Sequence, residues 1–461
     1  MLTKERLLKF GLLLCSSCML FYYVNHFNAL TRFALRYTAN LEHDEDTLSS
    51  SSHSKIMNDI NSNSENDVLV SESRGFVFSV HIIEQQVGAA MNLLTLSQWA
   101  KHVGISTVEP FVNKSVFSWP PRWSQSELST TLRFHDYFNL DYWNSMCSRF
   151  NASPLVSWET FLNRKTDSSI IVLLLFTEHC IQKLVFVDDE INRESDCRSH
   201  FNNFEKANGY NIHQVLQTNI VRRVCIPMCK RTFHIDTISK YIYGTFKPKE
   251  TTVLFIRWIG IMRKYRLRIF EKEYGRTTQA VEMLQTSERI IRDSKNYVKR
   301  YLNSEFGDYV AISFRSCKRA KLIDPSEQPQ FFKKCIKKLG HTLNSFMSRK
   351  LFLALDFGRF GDSKISTYIA DDLVKMMEHD LFQVVFNGTL TMEQWEQSFI
   401  DITNGITDSG YIAGLHSNIL QNSGCLVMFG GSSNFQRNIV YQYKQKHTDE
   451  SVCIKKICYI D

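Results

Sequence analysis

From Gly75 onward, short apolar runs are separated by longer amphipathic ones, and this alternation constrains the fold more than any other feature of the chain. Short apolar runs bury as strands covered on both faces, and the amphipathic stretches between them serve as crossover helices of a parallel sheet. Strands are expected at Phe76–Ile82, Ile170–Phe176, Leu184–Val187, Val253–Ile256, Tyr309–Phe314, Leu351–Leu355, Gln383–Phe386 and Leu426–Phe429. Helices are expected at Ala89–Val103, Thr277–Asn303, Gln328–Arg349, Ile365–Glu378, Gly410–Gln421 and Asn434–Lys446. The fold class is therefore α/β. The strand–helix theme recurs four times after about residue 305, enough for one parallel unit, and residues 75 to about 300 hold another.

The N-terminus has a different character. Phe10 to Thr31 carries no charge except on His26, and its densest apolar part is Phe10–Val24. With its flanks it reaches the roughly 20 residues that a membrane-spanning helix needs. Lys4, Arg6 and Lys9 precede it, which puts residues 1–9 in the cytosol and residues 10–30 in the bilayer. A cleaved signal peptide is the alternative, with Ala29 or Ala34 near a cut. Residues 31–74 follow as a stem. The stretch 40–72 is rich in Ser, Asn and acids and has too few large apolar groups to fold.

Two cysteines, Cys15 and Cys18, lie in the apolar segment, and ten follow: Cys147, Cys180, Cys197, Cys225, Cys229, Cys317, Cys335, Cys425, Cys453 and Cys458. An even number beyond an anchor suits disulfides in an oxidising compartment, with the pairing left open. Asn113, Asn151 and Asn387 begin N-glycosylation sequons. The net charge of +8 is mild for 461 residues and its signs are interspersed. It suits an anionic small ligand or a membrane surface, and nucleic acid is not expected.

Three elements in the second half suggest chemistry. An apolar strand ends in Gly430-Gly431, followed by Ser432-Ser433 and a helix from Asn434. Glycines permit close backbone approach, and hydroxyls with free helix N–H groups form an anion site for a phosphate or diphosphate. The same pattern also suits a plain glycine turn with a serine N-cap. Arg315 directly follows the strand Tyr309–Phe314, where a guanidinium at a sheet's carboxyl edge can clasp a diphosphate, with Lys318 and Arg319 nearby. Asp356 ends the strand Leu351–Leu355, where an acid meets a ribose, a base or a loop amide, or caps Gly358 or Gly361. In the first half, Glu84 stands between a strand and a helix that starts in small residues. It is a candidate base for an acceptor hydroxyl, or simply a helix-start acid.

The order of these pieces resembles the fucosyltransferase clan that includes the protein O-fucosyltransferases and the α1,6-fucosyltransferases. The H-x-R of that clan corresponds to Ser313-Phe314-Arg315, with Ser in place of His. Its strand ending in Asp corresponds to Leu355-Asp356, and its glycine-rich S-S-F loop to Gly431-Ser432-Ser433-Asn434-Phe435, with Asn434 inserted. The N-terminal strand, loop and helix correspond loosely to Glu84–Asn92. The resemblance implies a GT-B fold of two Rossmann-like domains, an acceptor-side domain at 75–300 and a nucleotide-sugar domain at 301–461. It implies GDP-fucose as donor, a protein or glycan acceptor, inverting transfer and no metal or bound cofactor. Arg315 would hold the diphosphate as a catalytic group beside Glu84. Asp356, Gly431, Ser432, Ser433 and Phe435 would bind the nucleotide. With tail, span and stem, this is the layout of a type II Golgi or ER membrane enzyme with a lumenal head.

Two rivals remain. Leu184–Val187 runs into Asp188-Asp189-Glu190, as in a metal-dependent GT-A transferase. Ser313 in place of His motivates the other, an inactive relative that acts as a lumenal binding or scaffold protein.

Overall fold

The computed structural model describes residues 75–82, 86–102, 104–113, 116–118, 132–164, 168–177, 219–229, 251–257, 283–346, 350–361, 365–431, 433–448 and 451–460. The expected anchor and stem, Glu84, the strand Leu184–Val187 with Asp188–Glu190, and Ser432 lie outside these residues. Among the described residues no helix is long and apolar enough to cross a membrane. Glu72–Asp461 forms one compact unit.

That unit is mixed α/β. In chain order its first part contains β1 (Gly75–Ile82), α1 (Gln86–His102), β2 (Ser106–Val108), β3 (Phe111–Asn113), β4 (Val116–Ser118), α2 (Phe134–Tyr137), α3 (Leu140–Arg149), β5 (Leu155–Val156), α4 (Trp158–Arg164), β6 (Ser168–Thr177), β7 (Asn219–Cys229) and β8 (Thr251–Arg257). The strands form one sheet along the path β3-β4-β1-β8-β6-β7, with β2 joined to β1 and β5 to β2. All pairings are parallel except β1–β4 and β3–β4.

The second part contains α5 (Glu288–Tyr301), β9 (Val310–Phe314), α6 (Ser316–Ala320), α7 (Gln328–Leu343), β10 (Leu351–Leu355), α8 (Asp371–Phe386), α9 (Met392–Ile402), α10 (Ser409–Gln421), β11 (Cys425–Gly431), α11 (Asn434–Lys446) and β12 (Ile454–Ile460). Its four strands run in the order β10-β9-β11-β12, all parallel. Every residue of β9 and β11 is buried, as central strands with both faces covered require. By register, Ala311 and Ser313 share one face with Phe352, Ala354, Leu426 and Met428.

Several helices begin at polar caps. Ser287, Thr391, Asp408 and Ser433 each accept a first-turn N–H. Helix α10 joins the two cores: Tyr411 belongs to the cluster around Trp99, Phe134 and Trp143. Ile412, Leu415, Ile419 and Leu420 belong to the cluster around β9–β11.

Several boundaries differ from expectation. Gln383–Phe386 is the last turn of α8 and not a strand. Its β-branched and aromatic residues continue a helical stripe through Leu373, Met377, Leu381, Phe382 and Val385, and α8 ends at Asn387 in the left-handed region with φ 51. Helix α5 starts at Glu288 because Thr286 pairs with Phe138 in a β-bridge and Ser287 caps. Ile365–Thr367 is a 3₁₀ turn, separate from α8. Strand β7 escapes a hydropathy reading because Arg222, Arg223 and Pro227 interrupt it. Strand β12 does so because Lys455 and Lys456 stand in it.

Two disulfides lie among the described residues. Cys335–Cys458 ties α7 to β12, and Cys425–Cys453 ties the start of β11 to the segment before β12. Cys147 and Cys317 are buried and not disulfide-bonded, so the even count does not translate into full pairing.

Candidate functional site at the carboxyl edge of the second sheet

Arg315 continues β9 by one residue, and its N–H donates to the Phe429 carbonyl of β11 (3.4 Å). Directly before it, the Phe314 and Phe429 rings stack with centroids 4.0 Å apart, fixing the ends of the two strands together. The chain of β11 then turns through Gly430, whose φ of +102 favours glycine. A β-carbon on Gly430 would collide with the Arg315 carbonyl oxygen. The half-buried guanidinium of Arg315 lies 5.2 Å from the ring centre of Phe435, in the first turn of α11.

Asp356 continues β10 by one residue and is 1% exposed. Its Oδ1 accepts the Ser316 N–H (2.9 Å) and the Ser316 hydroxyl (2.8 Å), and its Oδ2 accepts the Cys317 N–H (2.8 Å). Of the partners open to it on sequence grounds, Asp356 takes the loop amides, those directly after Arg315. It holds the turn that carries the arginine. Ser433 caps α11, its Oγ accepting the Gln436 N–H (3.2 Å). The buried Gln436 side chain donates to the Phe429 carbonyl (3.2 Å), locking the start of α11 to the end of β11.

Positive charge gathers here. Lys318 is exposed, and its ammonium is held below its ordinary pKa by partial burial and by the Arg437 guanidinium. Arg319 turns elsewhere, its guanidinium 4.9 Å from the Phe331 ring centre. Lys318 is therefore the basic companion of this edge. The first turn of α11 is also where the two parts of the fold meet. Asn434 Nδ2 reaches Met91 Sδ of α1 (3.3 Å), and Phe435 packs against both cores.

One residue without a sequence signal stands behind the arginine. His416 of α10 is 4% exposed and ringed by Phe352, Trp395 and Phe399. Burial, then the Arg315 charge, pushes its pKa down to about 3, so the imidazole is neutral. Its Nε2 and the Ser313 Oγ are both buried without a hydrogen-bond partner among the described residues.

Of the residues expected at a site, the structure thus gathers Arg315, Asp356, Gly431, Ser433 and Phe435 at one sheet edge. Glu84 and Ser432 lie outside the described residues.

No family model and no curated protein matches the chain. Among solved structures it is similar to POFUT1 in complex with GDP-fucose, at 10% identity over 84% of this chain and 98% of that one, with a TM-score of 0.42. It is also similar to POFUT1 in complex with GDP (10% identity, 83% and 99% covered, TM-score 0.41) and to the POFUT1 apo-form (10%, 83% and 97%, TM-score 0.42).

Proposed function

We propose that the protein is a glycosyltransferase of the GT-B kind that transfers fucose from GDP-fucose, with inversion and without a metal, to a hydroxyl of a protein or glycan. What carries this reading is the convergence of separate sequence motifs. Arg315, Asp356 and the Gly430–Phe435 loop are far apart in the chain and come together at the carboxyl ends of adjacent parallel strands, where open α/β sheets bind ligands.

In this mechanism the donor diphosphate lies between the Arg315 guanidinium and the first free N–H groups of α11. Lys318 and Arg437 add positive potential. Charge that grows on the departing diphosphate meets donors already in place, which is how such a site accelerates bond cleavage. Asp356 acts by holding the Ser316–Cys317 turn, and with it Arg315. Phe435 offers an aromatic face beside the guanidinium. Glu84, which precedes α1 in the chain and lies outside the described residues, is the candidate base that the sequence alone offers. The apolar segment 10–30 with its preceding Lys and Arg supports a type II anchor in the Golgi or ER membrane, with residues 31–74 as stem.

The test is thermal stabilisation by GDP-fucose, GDP, GDP-mannose and UDP-sugars side by side. Selective stabilisation by guanine nucleotides supports the reading, and no shift with any of them overturns it. Ser313, which stands where the clan has His, favours a second reading, a protein that binds the nucleotide without transfer. Binding of GDP-fucose without any release of GDP would select it.

A further inference from the structure

The geometry points to Glu109 and His135 as an acid–base pair in which His135 Nε2 receives the proton of the acceptor hydroxyl; this rests on the transfer reading above. Glu109 directly follows β2 on the carboxyl side of the first sheet, level by register with Ser79 of β1. Its N–H donates to the Val156 carbonyl (2.8 Å), and its side chain is 2% exposed. One oxygen, Oε1, accepts both the His135 backbone N–H (2.9 Å) and the ring at Nδ1 (2.6 Å). An oxygen that already accepts an amide fixes Nδ1 as the ring's donor, so in the neutral imidazole Nε2 is the basic nitrogen. His135 is 46% exposed, so substrate can reach it. A buried carboxylate that orients an accessible imidazole and steadies its protonated form is the arrangement general-base catalysis uses.

The short helix that carries His135 also touches the second part of the fold. His135 lies on α2, where Tyr137 donates to Asp408 Oδ1 (2.5 Å), the cap of α10. Asp136 accepts from Arg289 in the first turn of α5 (3.1 Å). Helix α5 leads into β9 and α10 into β11, so both start on the carboxyl side of the second sheet, the side of Arg315. The apolar cluster that contains Phe134 and Tyr137 also receives Phe435, the ring beside the Arg315 guanidinium.

The step balances without a further reactant. The acceptor oxygen forms its bond to the fucose anomeric carbon, and the bond from that carbon to the β-phosphate oxygen breaks. Its electron pair leaves on GDP, and the acceptor proton moves to Nε2. The groups facing His135 are Glu109 and Asp136, which raise its pKa, and Arg133, which lowers it; Glu109 dominates as hydrogen-bond partner, and the net direction is upward. Arg133 is itself paired with Glu159 and Asp136 with Arg289. Activity should therefore rise with pH through an ionisation above the ordinary imidazole range.

The experiment needs no known acceptor: hydrolysis of GDP-fucose to GDP and fucose uses water in its place. It compares wild type, His135→Gln, Glu109→Gln and Glu84→Gln across pH, with GDP binding measured alongside. The pair predicts that His135→Gln keeps GDP affinity, loses on the order of 10²-fold in rate and loses the pH limb. Glu109→Gln should keep a limb shifted to lower pH; if it fails to fold, the half-exposed His135 variant still decides. An unchanged rate and limb in His135→Gln, or loss of the limb in Glu84→Gln alone, overturns the pair while leaving the donor site intact. A wild type that binds GDP but never hydrolyses GDP-fucose also overturns it. A wild type that binds no guanine nucleotide overturns the transfer reading and this inference with it.

Discussion

Gly430 and Arg315 meet backbone to backbone: the space a side chain would take on Gly430 is filled by the Arg315 carbonyl oxygen. The glycine's φ of +102 bends β11 away at the level where Arg315 leaves β9. Gly430→Ala therefore adds a strained backbone to a steric clash, at a cost of about 3 kcal/mol. Denaturant unfolding should show that loss. Because the clash falls on Arg315 itself, affinity for GDP should fall as well, whereas Gly405→Ala should leave it unchanged. Gly405 also has a positive φ (+91), but nothing crowds its missing side chain.

Asp356 is expected to act at one remove from the ligand. Asp356→Asn keeps the shape but sets an amide N–H2 against either the Ser316 or the Cys317 amide. Losing a charge-assisted buried bond costs about 2 kcal/mol. Urea unfolding should register this, and GDP affinity should fall with the loosened turn that carries Arg315. Asp356→Ala should be worse in both measurements.

His416 gives the fold an acid limit. Its pKa is about 3 when folded and near the ordinary 6.5 when unfolded. Above 6.5 both states are neutral and stability is unaffected. As pH falls from 6.5 towards 3, only the unfolded chain takes the proton, so stability is lost at up to about 1.4 kcal/mol per pH unit. His416→Phe removes that proton and should flatten the acid side of the stability–pH curve, read by denaturant midpoints between pH 4 and 8.

The Cys335–Cys458 disulfide closes a loop of 123 residues in sequence and ties the outer helix α7 to the edge strand β12. Paired Ser substitutions at both positions should lower stability by about 2–5 kcal/mol. Thermal melts of wild type with and without reductant should differ in the same direction.

Much of this was legible before any coordinates. Ser433 is readable as the N-cap of a helix from Asn434, and β9, β10 and β11 are apolar runs of the right length, whereas Ser287 falls inside the helix expected over Thr277–Asn303 and no helix is expected where α9 lies. Arg315 was visible because a charge at the end of such a run falls at a sheet edge. What stayed hidden depends on distance in space. Nothing in the sequence says that Asp356 turns back to the amides after Arg315, or that His416 lies buried behind that arginine. Glu109 and His135, 26 residues apart, become a pair only when β2 and α2 are brought together. Gln383–Phe386 misled because side chains that suit a strand also complete a helix when the preceding turns set the period.

The central claim is that Arg315 holds a guanine-nucleotide diphosphate. Calorimetric titration of GDP and GDP-fucose into wild type and Arg315→Ala tests it most directly, with melts of both proteins as a check on folding. The account predicts binding by wild type and at least about a tenfold loss in the folded variant, as expected for removal of a charged hydrogen-bonding group. Equal affinity in the two proteins, or no binding of either ligand by wild type, would contradict it.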